Sequence, residues 1–286
     1  MKRLLFLWLA LLLAANCVAA DTLSGTVITQ ADKPLRLIRG LEIWQAGAGV
    51  VLHKGDILET GLAMAQIEYG PNLILALGQH SRLYLAEVDG KMELYLLDGW
   101  LKLQSSKPDS NLMLKSALLA SSAANSLLFH VEMDRSELFP EQGTPLAMAM
   151  ERGEKSAEPF KVAQEQHVIH MAGQPLKVLP RPGKDLLAAM PKPFRDALPP
   201  LLAKLGGKPQ EPVREYELQF AHIEGWLKMD APALKKEWVK RFKPMLKNPA
   251  FHKSLEAGMG QAPEWQTLLN PPKKAHASTP AGGTIY

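Results

Sequence analysis

Ala65-Gln66-Ile67-Glu68-Tyr69-Gly70-Pro71-Asn72-Leu73-Ile74-Leu75-Ala76-Leu77-Gly78 is the stretch that decides the class of fold. Its first five residues alternate apolar and polar, the period-two pattern of a strand with one face toward a core and one toward solvent. Gly70-Pro71-Asn72 then interrupts the chain with turn formers. Leu73 to Leu77 is apolar at every position, as expected of a strand buried on both faces and therefore interior to its sheet. A strand, a turn and an interior strand in direct succession predict an antiparallel β module.

The same grammar extends on both sides, from Thr22 to about Leu103. Met92-Glu93-Leu94-Tyr95-Leu96 and Leu101-Lys102-Leu103 alternate, while Gly55-Asp56, Gly61 and Gly78 supply further breaks. Asp89-Gly90 and Asp98-Gly99 read as two-residue type I′ turns joining antiparallel strands, because glycine accepts the positive φ that such turns require. Residues 105 to 182 continue as a less regular second β half. It opens with the loop Ser105 to Ser110, gives strand-like runs at Leu112 to Leu119, Leu127 to Met133 and Gln166 to Met171, and turns at Ala172-Gly173-Gln174-Pro175. A last strand is expected from Leu176 to Leu179.

Pro180, Pro182 and Gly183 mark a boundary, since proline removes a ladder donor and restricts the residue before it. Helices are expected at Asp185 to Met190, Phe194 to Leu205 (closed by Gly206-Gly207) and Val213 to Met229. The clearest helix spans Ala231 to Lys247, with Asp230 as its cap and Asn248-Pro249 as its stop. Leu234, Trp238, Phe242, Met245 and Leu246 form its apolar stripe, and Lys235, Lys236, Lys240, Arg241, Lys243 and Lys247 mostly face away. Pro244 predicts a kink. Short helices follow at Phe251 to Ala257 and Pro263 to Leu269. The composition of Pro271 to Tyr286 is that of a disordered tail.

The N-terminus carries an address. Lys2 and Arg3, the apolar run Leu4 to Ala15 and Val18-Ala19-Ala20 form the three regions of a cleavable secretory signal. The run is shorter than the roughly 20 residues that span a bilayer, so release into the periplasm is the main expectation, with an uncleaved inner-membrane anchor as the alternative. Acylation of Cys17 is disfavoured by the bulky Asn16 before it. Cys17 is the only cysteine, so cleavage after Ala20 removes every thiol and with it disulfides, thiolate catalysis, Cys-ligated zinc and iron–sulfur chemistry. Loss of Lys2 and Arg3 also lowers the formal charge from +4 to +2, too balanced for a nucleic-acid-binding role. At 47% hydrophobic residues over 286, the chain can bury one large or two modest cores. The expected organisation is a signal peptide at 1–20, a β-rich domain at 21–182, an α-helical region at 183–270 and a tail at 271–286.

The stretch Gly49-Val50-Val51-Leu52-His53-Lys54-Gly55-Asp56-Ile57-Leu58-Glu59-Thr60-Gly61, followed by Ala65 to Leu85 with its glycine-containing turn and Ser81, resembles the FecR domain. Gly55-Asp56 and Thr60-Gly61 stand where that family has its Gly-Asp and Thr-Gly pairs. Leu96-Leu97-Asp98-Gly99-Trp100-Leu101-Lys102-Leu103 and Met171-Ala172-Gly173-Gln174 are similar to its continuation, so the likeness covers about residues 22 to 180. Tyr69-Gly70-Pro71-Asn72 departs from the Asp-Gly usual in the family. The resemblance implies a mainly β module of short antiparallel strands, a roll or sandwich, used for sensing or interaction in the periplasm. In FecR such a module relays a receptor signal to a cytoplasmic sigma factor. No cytoplasmic segment precedes the hydrophobic stretch here, so the expectation is a stand-alone exported form without the anti-sigma region.

Catalytic and metal signatures are weak. His167 and His170 are close in sequence, but on a strand they point to opposite faces. There is no H-E-x-x-H, G-x-S-x-G, Walker A or G-x-G-x-x-G motif. Asp56 and Glu59 have the look of a glycosidase carboxylate pair, although a Gly-Asp turn more simply uses Asp56 to bond its own backbone. No enzyme activity, cofactor or metal is expected. The main functional expectation is a binding module for a cell-envelope protein of unknown identity. One alternative is binding of peptidoglycan or an anionic membrane surface through Lys235, Lys236, Lys240 and Arg241. Another is an enzyme whose site is too dispersed to recognise.

Overall fold

The computed structural model describes residues 25–88, 91–107, 111–151, 154–155, 157–229 and 231–270. The leader 1–20 with Cys17, the Asp89-Gly90 turn, the Asp230 cap and the tail 271–286 lie outside these residues.

The fold is mainly β, with a few helices near the C-terminal end. The first half gives β1 (Thr26–Ala31), β2 (Leu35–Arg39), β3 (Glu42–Ala46), β4 (Val51–Leu52), β5 (Ile57–Glu59), β6 (Ala65–Tyr69), β7 (Leu73–Leu77), β8 (Arg82–Glu87) and the long β9 (Met92–Ser105). The second half gives β10 (Leu112–Lys115), β11 (Leu119–Ser122), β12 (Ser126–Glu132), β13 (Arg135–Gln142), β14 (Leu146–Glu151), β15 (Glu154–Lys155), β16 (Phe160–Lys161), β17 (His167–Met171) and β18 (Lys177–Leu179). Beyond the boundary lie α1 (Lys184–Ala189), β19 (Val213–Glu217), α2 (Phe220–Lys228), α3 (Pro232–Phe242), α4 (Pro249–Met259) and α5 (Pro263–Leu269).

Two sheets pack face to face, and β9 belongs to both. Its first half pairs with β8 and, in parallel, with β10. Its second half pairs with β7 and β12. One sheet therefore runs β4-β1-β6-β7-β9-β12-β13-β17-β18. The other runs β19-β3-β2-β5-β8-β9-β10-β11-β14-β16. Leu75, Leu103 and Phe129 of the first sheet meet Leu37, Leu83 and Leu94 of the second in one central core. β7 is buried at all five positions and sits between β6 and β9, as its unbroken apolar run requires.

The C-terminal region closes both outer faces. Residues 184–202 form a strap across the first sheet, where Leu186, Met190, Phe194 and Leu198 cover Ile74, Trp100 and Phe139. The four longer helices cover the second sheet, burying Trp226, Trp238 and Trp265 against Ile38, Tyr84 and Tyr95. Polar strand residues expected to face solvent are consequently buried and bonded to the strap. Gln66 donates to Pro199 O at 2.7 Å, Glu68 accepts from Leu201 N at 2.7 Å, and Lys102 Nζ reaches Phe194 O at 2.7 Å. These side chains satisfy backbone groups that the strap leaves unpaired at its 3-10 turns and in the irregular stretch between them.

Three expectations need correction. Asp98-Gly99 is not a hairpin turn but the interior of β9, at the point where the strand passes from one sheet to the other. Residues 194–205 form no α-helix; two short 3-10 turns, Lys192–Arg195 and Leu202–Leu205, stand there because Pro199 and Pro200 remove consecutive amide donors. Val213–Glu217 is a strand rather than the start of a helix, and α2 begins only at Phe220. Pairing with β3 has overridden local helix propensity there. Farther along, α3 gives way at Lys243 to a 3-10 turn containing Pro244, in line with the expected kink. Ala231 occupies its N-cap position. The Asn248 side chain accepts from Ala250 N and Phe251 N and so starts α4.

Candidate functional site

The Gly-Asp pair forms a latch. Gly55 has φ +87°, and the Asp56 carboxylate, 1% exposed, accepts from Arg39 Nε at 3.0 Å, Arg39 Nη2 at 2.6 Å and His53 N at 2.8 Å. A bidentate arginine and a turn amide fill this carboxylate. Glu59 is held by Arg36 at 2.8 Å, so both carboxylates of the considered glycosidase pair already have arginine partners.

Thr60 and Gly99 belong to the corner of β9. Thr60 Oγ1 donates to Gly78 O at 2.6 Å and accepts from Ser81 N at 2.7 Å. Trp100 N donates to Ser81 Oγ at 2.9 Å. Gly99 has φ +95°, and a Cβ placed on it would stand 2.4 Å from Ser81 Oγ and 2.6 Å from Ser81 Cα. A left-handed backbone and close approach of another strand both demand glycine here. Gly61 has no such constraint, whereas Gly70, at φ +55°, turns β6 into β7 with Tyr69 opposite Leu73. Asp98 lies 3.3 Å from Arg82.

The basic residues of α3 divide. Lys236 and Lys240 are exposed and Lys235 is half-buried. Arg241 turns inward: its guanidinium donates to Gly40 O at 3.0 Å, Ile38 O at 3.2 Å and Gly55 O at 2.5 Å, and lies over the Phe242 ring. Burial pulls its pKa down, against the raising influence of Tyr84, Asp56 and Glu237. It therefore ties the helical layer to the Gly-Asp turn. Beside it, the Tyr84 hydroxyl donates to Glu237 and its ring packs 4.6 Å from Trp238. Burial, and then Glu237, push that phenol far above its ordinary range.

A buried polar cluster escaped the sequence reading. His130 Nδ1 lies 2.9 Å from Glu137 Oε2. His167 Nε2 lies 3.1 Å from Glu137 Oε1, an ion-pair contact whose alignment falls short of a hydrogen bond, and its Nδ1 has no hydrogen-bond partner. Arg135 also pairs with Glu137, and Trp100 stacks on His130 at 3.9 Å. Burial raises the Glu137 carboxyl, but His130, His167 and Arg135 outweigh it and hold it at about 2. The tip Met133-Asp134 fixes this register, because a two-residue tip sets His130 opposite Glu137. His170, three residues from His167, points the other way and bonds Leu118 O at 2.6 Å.

Two cavities and one strand edge stand out among the described residues. A polar cavity of about 570 Å³ lies beneath the strap, between Lys102, Glu141 and Asp196. A larger one of about 910 Å³ separates the β12–β13 tip and β14 from the end of α2. The edge is β19: its five residues are all exposed, and among the described residues it pairs with β3 alone. Among the described residues no helix is long and apolar enough to cross a membrane.

No family model matches this chain, and no curated protein does. Among solved structures it is similar to a presumed anti-sigma factor from Parabacteroides distasonis, seen in crystals at 2.50 and 1.65 Å resolution. Each match has TM-score 0.38 and 8% identity over 46% of this chain, and covers 62% and 63% of that protein's chain. The chain thus spans under two thirds of the structures it matches.

Proposed function

We propose that this chain is an exported, non-enzymatic interaction module of FecR-like type that engages a protein of the cell envelope through the free edge of β19. The observation that carries the reading is the edge itself. Both sheet faces are covered by the chain's own strap and helices, so the groups left for a partner are at edges and ends. On β19, Val213 and Tyr216 are large exposed apolar side chains beside an unpaired run of backbone. An extended segment of a partner pairs with such an edge by main-chain hydrogen bonds and gains specificity from alternate side chains.

The edge is guarded against indiscriminate pairing. Arg214, Glu215 and Glu217 place charge along it, and the register slips between Arg214 and Tyr216, as in a bulge. Charge and bulges of this kind suppress self-association. The leader reading supports a partner in the periplasm, and the Gly55-Asp56 and Thr60-Gly61 resemblance supports a recognition role. Both motifs are spent on internal bonds, which favours binding over catalysis.

Site-specific photo-crosslinking in cells tests this. A crosslinker at Val213 or Tyr216 is expected to capture one envelope protein, and Val213→Asp with Tyr216→Lys to abolish capture while leaving the melting temperature unchanged. Equal capture from a crosslinker at exposed Lys236 would refute the edge as the interface.

A further inference from the structure

The 910 Å³ cavity between the β12–β13 tip and α2 has unusual donors. Met133, Met150, Met229 and His170 all line it. His170 is 9% exposed and is oriented by one bond, from Nδ1 to Leu118 O at 2.6 Å. A carbonyl only accepts, so Nδ1 carries the proton and the neutral ring keeps its lone pair on Nε2, the nitrogen left to the cavity. The same carbonyl accepts from Met150 N at 2.8 Å. One backbone oxygen therefore ties the imidazole and the Met150 backbone to the same point, and both side chains line the cavity. Met150 is buried yet belongs to none of the three apolar cores. Met229, at the end of α2, lines the same space while also packing into the helical core, and Met133 stands fully exposed at the mouth.

An imidazole whose second nitrogen is tied to a backbone carbonyl is the arrangement that orients histidine as a metal ligand. Hard and borderline ions lack a donor set here: among the described residues no three His, Cys, Asp or Glu side chains gather to hold one. Of the carboxylates lining the cavity, Asp98 pairs with Arg82 and Glu132 lies 3.8 Å from His130. What remains is one imidazole and up to three thioethers, a soft set that selects monovalent copper over zinc, calcium or magnesium.

We propose that this cavity binds one Cu(I) ion through His170 Nε2 and the thioethers of Met150 and Met229, with Met133 closing over it. The site does not use the β19 edge and stands or falls independently of the interaction reading. Binding involves no electron or group transfer, only replacement of the ion's previous ligands.

The test is anaerobic competition between the purified chain and bicinchoninate for Cu(I), read from the colour of the copper–bicinchoninate complex. One equivalent is expected to move to the protein. Met150→Leu keeps volume and apolarity and so keeps the fold, and it is expected to weaken binding at least tenfold, as is His170→Ala. Met259→Leu, the same change at a helical-core methionine that does not line the cavity, is expected to have no effect. X-ray absorption of the loaded protein is expected to show sulfur together with one imidazole. The proposal is overturned by no transfer from bicinchoninate, by wild-type affinity in Met150→Leu, or by a first shell of nitrogen and oxygen alone. It is equally overturned if amphiphilic organic compounds raise the melting temperature through this cavity and Cu(I) does not.

Discussion

Substituting Gly99 by alanine tests whether the Asp98-Gly99 pair is a corner under compression. The residue holds φ +95°, and the new methyl carbon would sit 2.4 Å from Ser81 Oγ, 2.6 Å from Ser81 Cα and 2.8 Å from Ser81 Cβ. A side chain in a sparsely populated backbone region costs about 1–3 kcal/mol. Overpacking against a neighbour that cannot withdraw adds about 1–3 kcal/mol, and Ser81 cannot withdraw because its backbone and hydroxyl bond Thr60 and Trp100. The expected loss is therefore about 3 kcal/mol or more, a large share of a total stability of about 5–15 kcal/mol. With a urea slope of about 3 kcal/mol per molar, the midpoint falls by about 1 M. Gly61→Ala is the matched control: no heavy atom lies within 4 Å of its added methyl and its φ is not positive, so its midpoint should stay within about 0.2 M of wild type. Equilibrium urea unfolding followed by tryptophan fluorescence measures both. A Gly99→Ala midpoint as close to wild type as that of Gly61→Ala would refute the compressed corner.

Acid unfolding should depend on Glu137, whose folded pKa is depressed from 4.5 to about 2. A depressed carboxyl contributes stability that is fully present above its unfolded pKa and is lost as pH falls from about 4.5 toward 2, so Glu137→Gln should flatten the stability profile in that window, measured by urea midpoints against pH. Arg241→Ala should lower the melting temperature markedly, since charged hydrogen bonds contribute about 1.5–3 kcal/mol each and three carbonyls lose their donor. Lys236→Ala and Lys240→Ala should leave the melting temperature unchanged; if they and not Arg241→Ala are the damaging changes, the latch is misassigned. A fragment ending at residue 182 should be aggregation-prone, because Ile38, Tyr84, Trp100 and Phe139 lose their cover; a monomeric, cooperatively folding fragment in sedimentation and urea experiments would contradict this.

The β class was legible because it is written in local period: the alternation of Ala65 to Tyr69 and the unbroken run of Leu73 to Leu77 each have one simple reading. The interior position of β7 followed from the same run. What could not be read was anything decided by partners distant in sequence. Asp98-Gly99 has the composition of a turn, and only the change of neighbours along β9 makes it a corner. Gln66, Glu68 and Lys102 looked like solvent-facing residues because the strap that buries them lies about a hundred residues away. The Lys-rich face of α3 was visible, yet nothing local distinguished Arg241, which bonds the turn at Gly55, from Lys240, which faces solvent. The His130–Glu137–His167 cluster needed the β12–β13 register, for which Met133-Asp134 gives a weak turn signal.

The boundary at Pro180 and Pro182 separates regions of different composition but not independent units. Residues beyond it supply the cover for one sheet, the helices over the other, and the edge strand β19 that extends the second sheet. On the proposed reading a partner would meet an element whose strand neighbour, among the described residues, is β3. The latch from Arg241 to Gly55 anchors the same helical layer to the Gly-Asp turn, and α2 follows β19 after two residues. Trp226 of α2 packs edge-on against Trp238 of α3, so β19, α2, α3 and the latch form one run of contacts. The Gly-Asp turn is thus tied to the helical layer that follows β19, and on the proposed reading the edge offered to a partner lies in the region that the family resemblance does not cover.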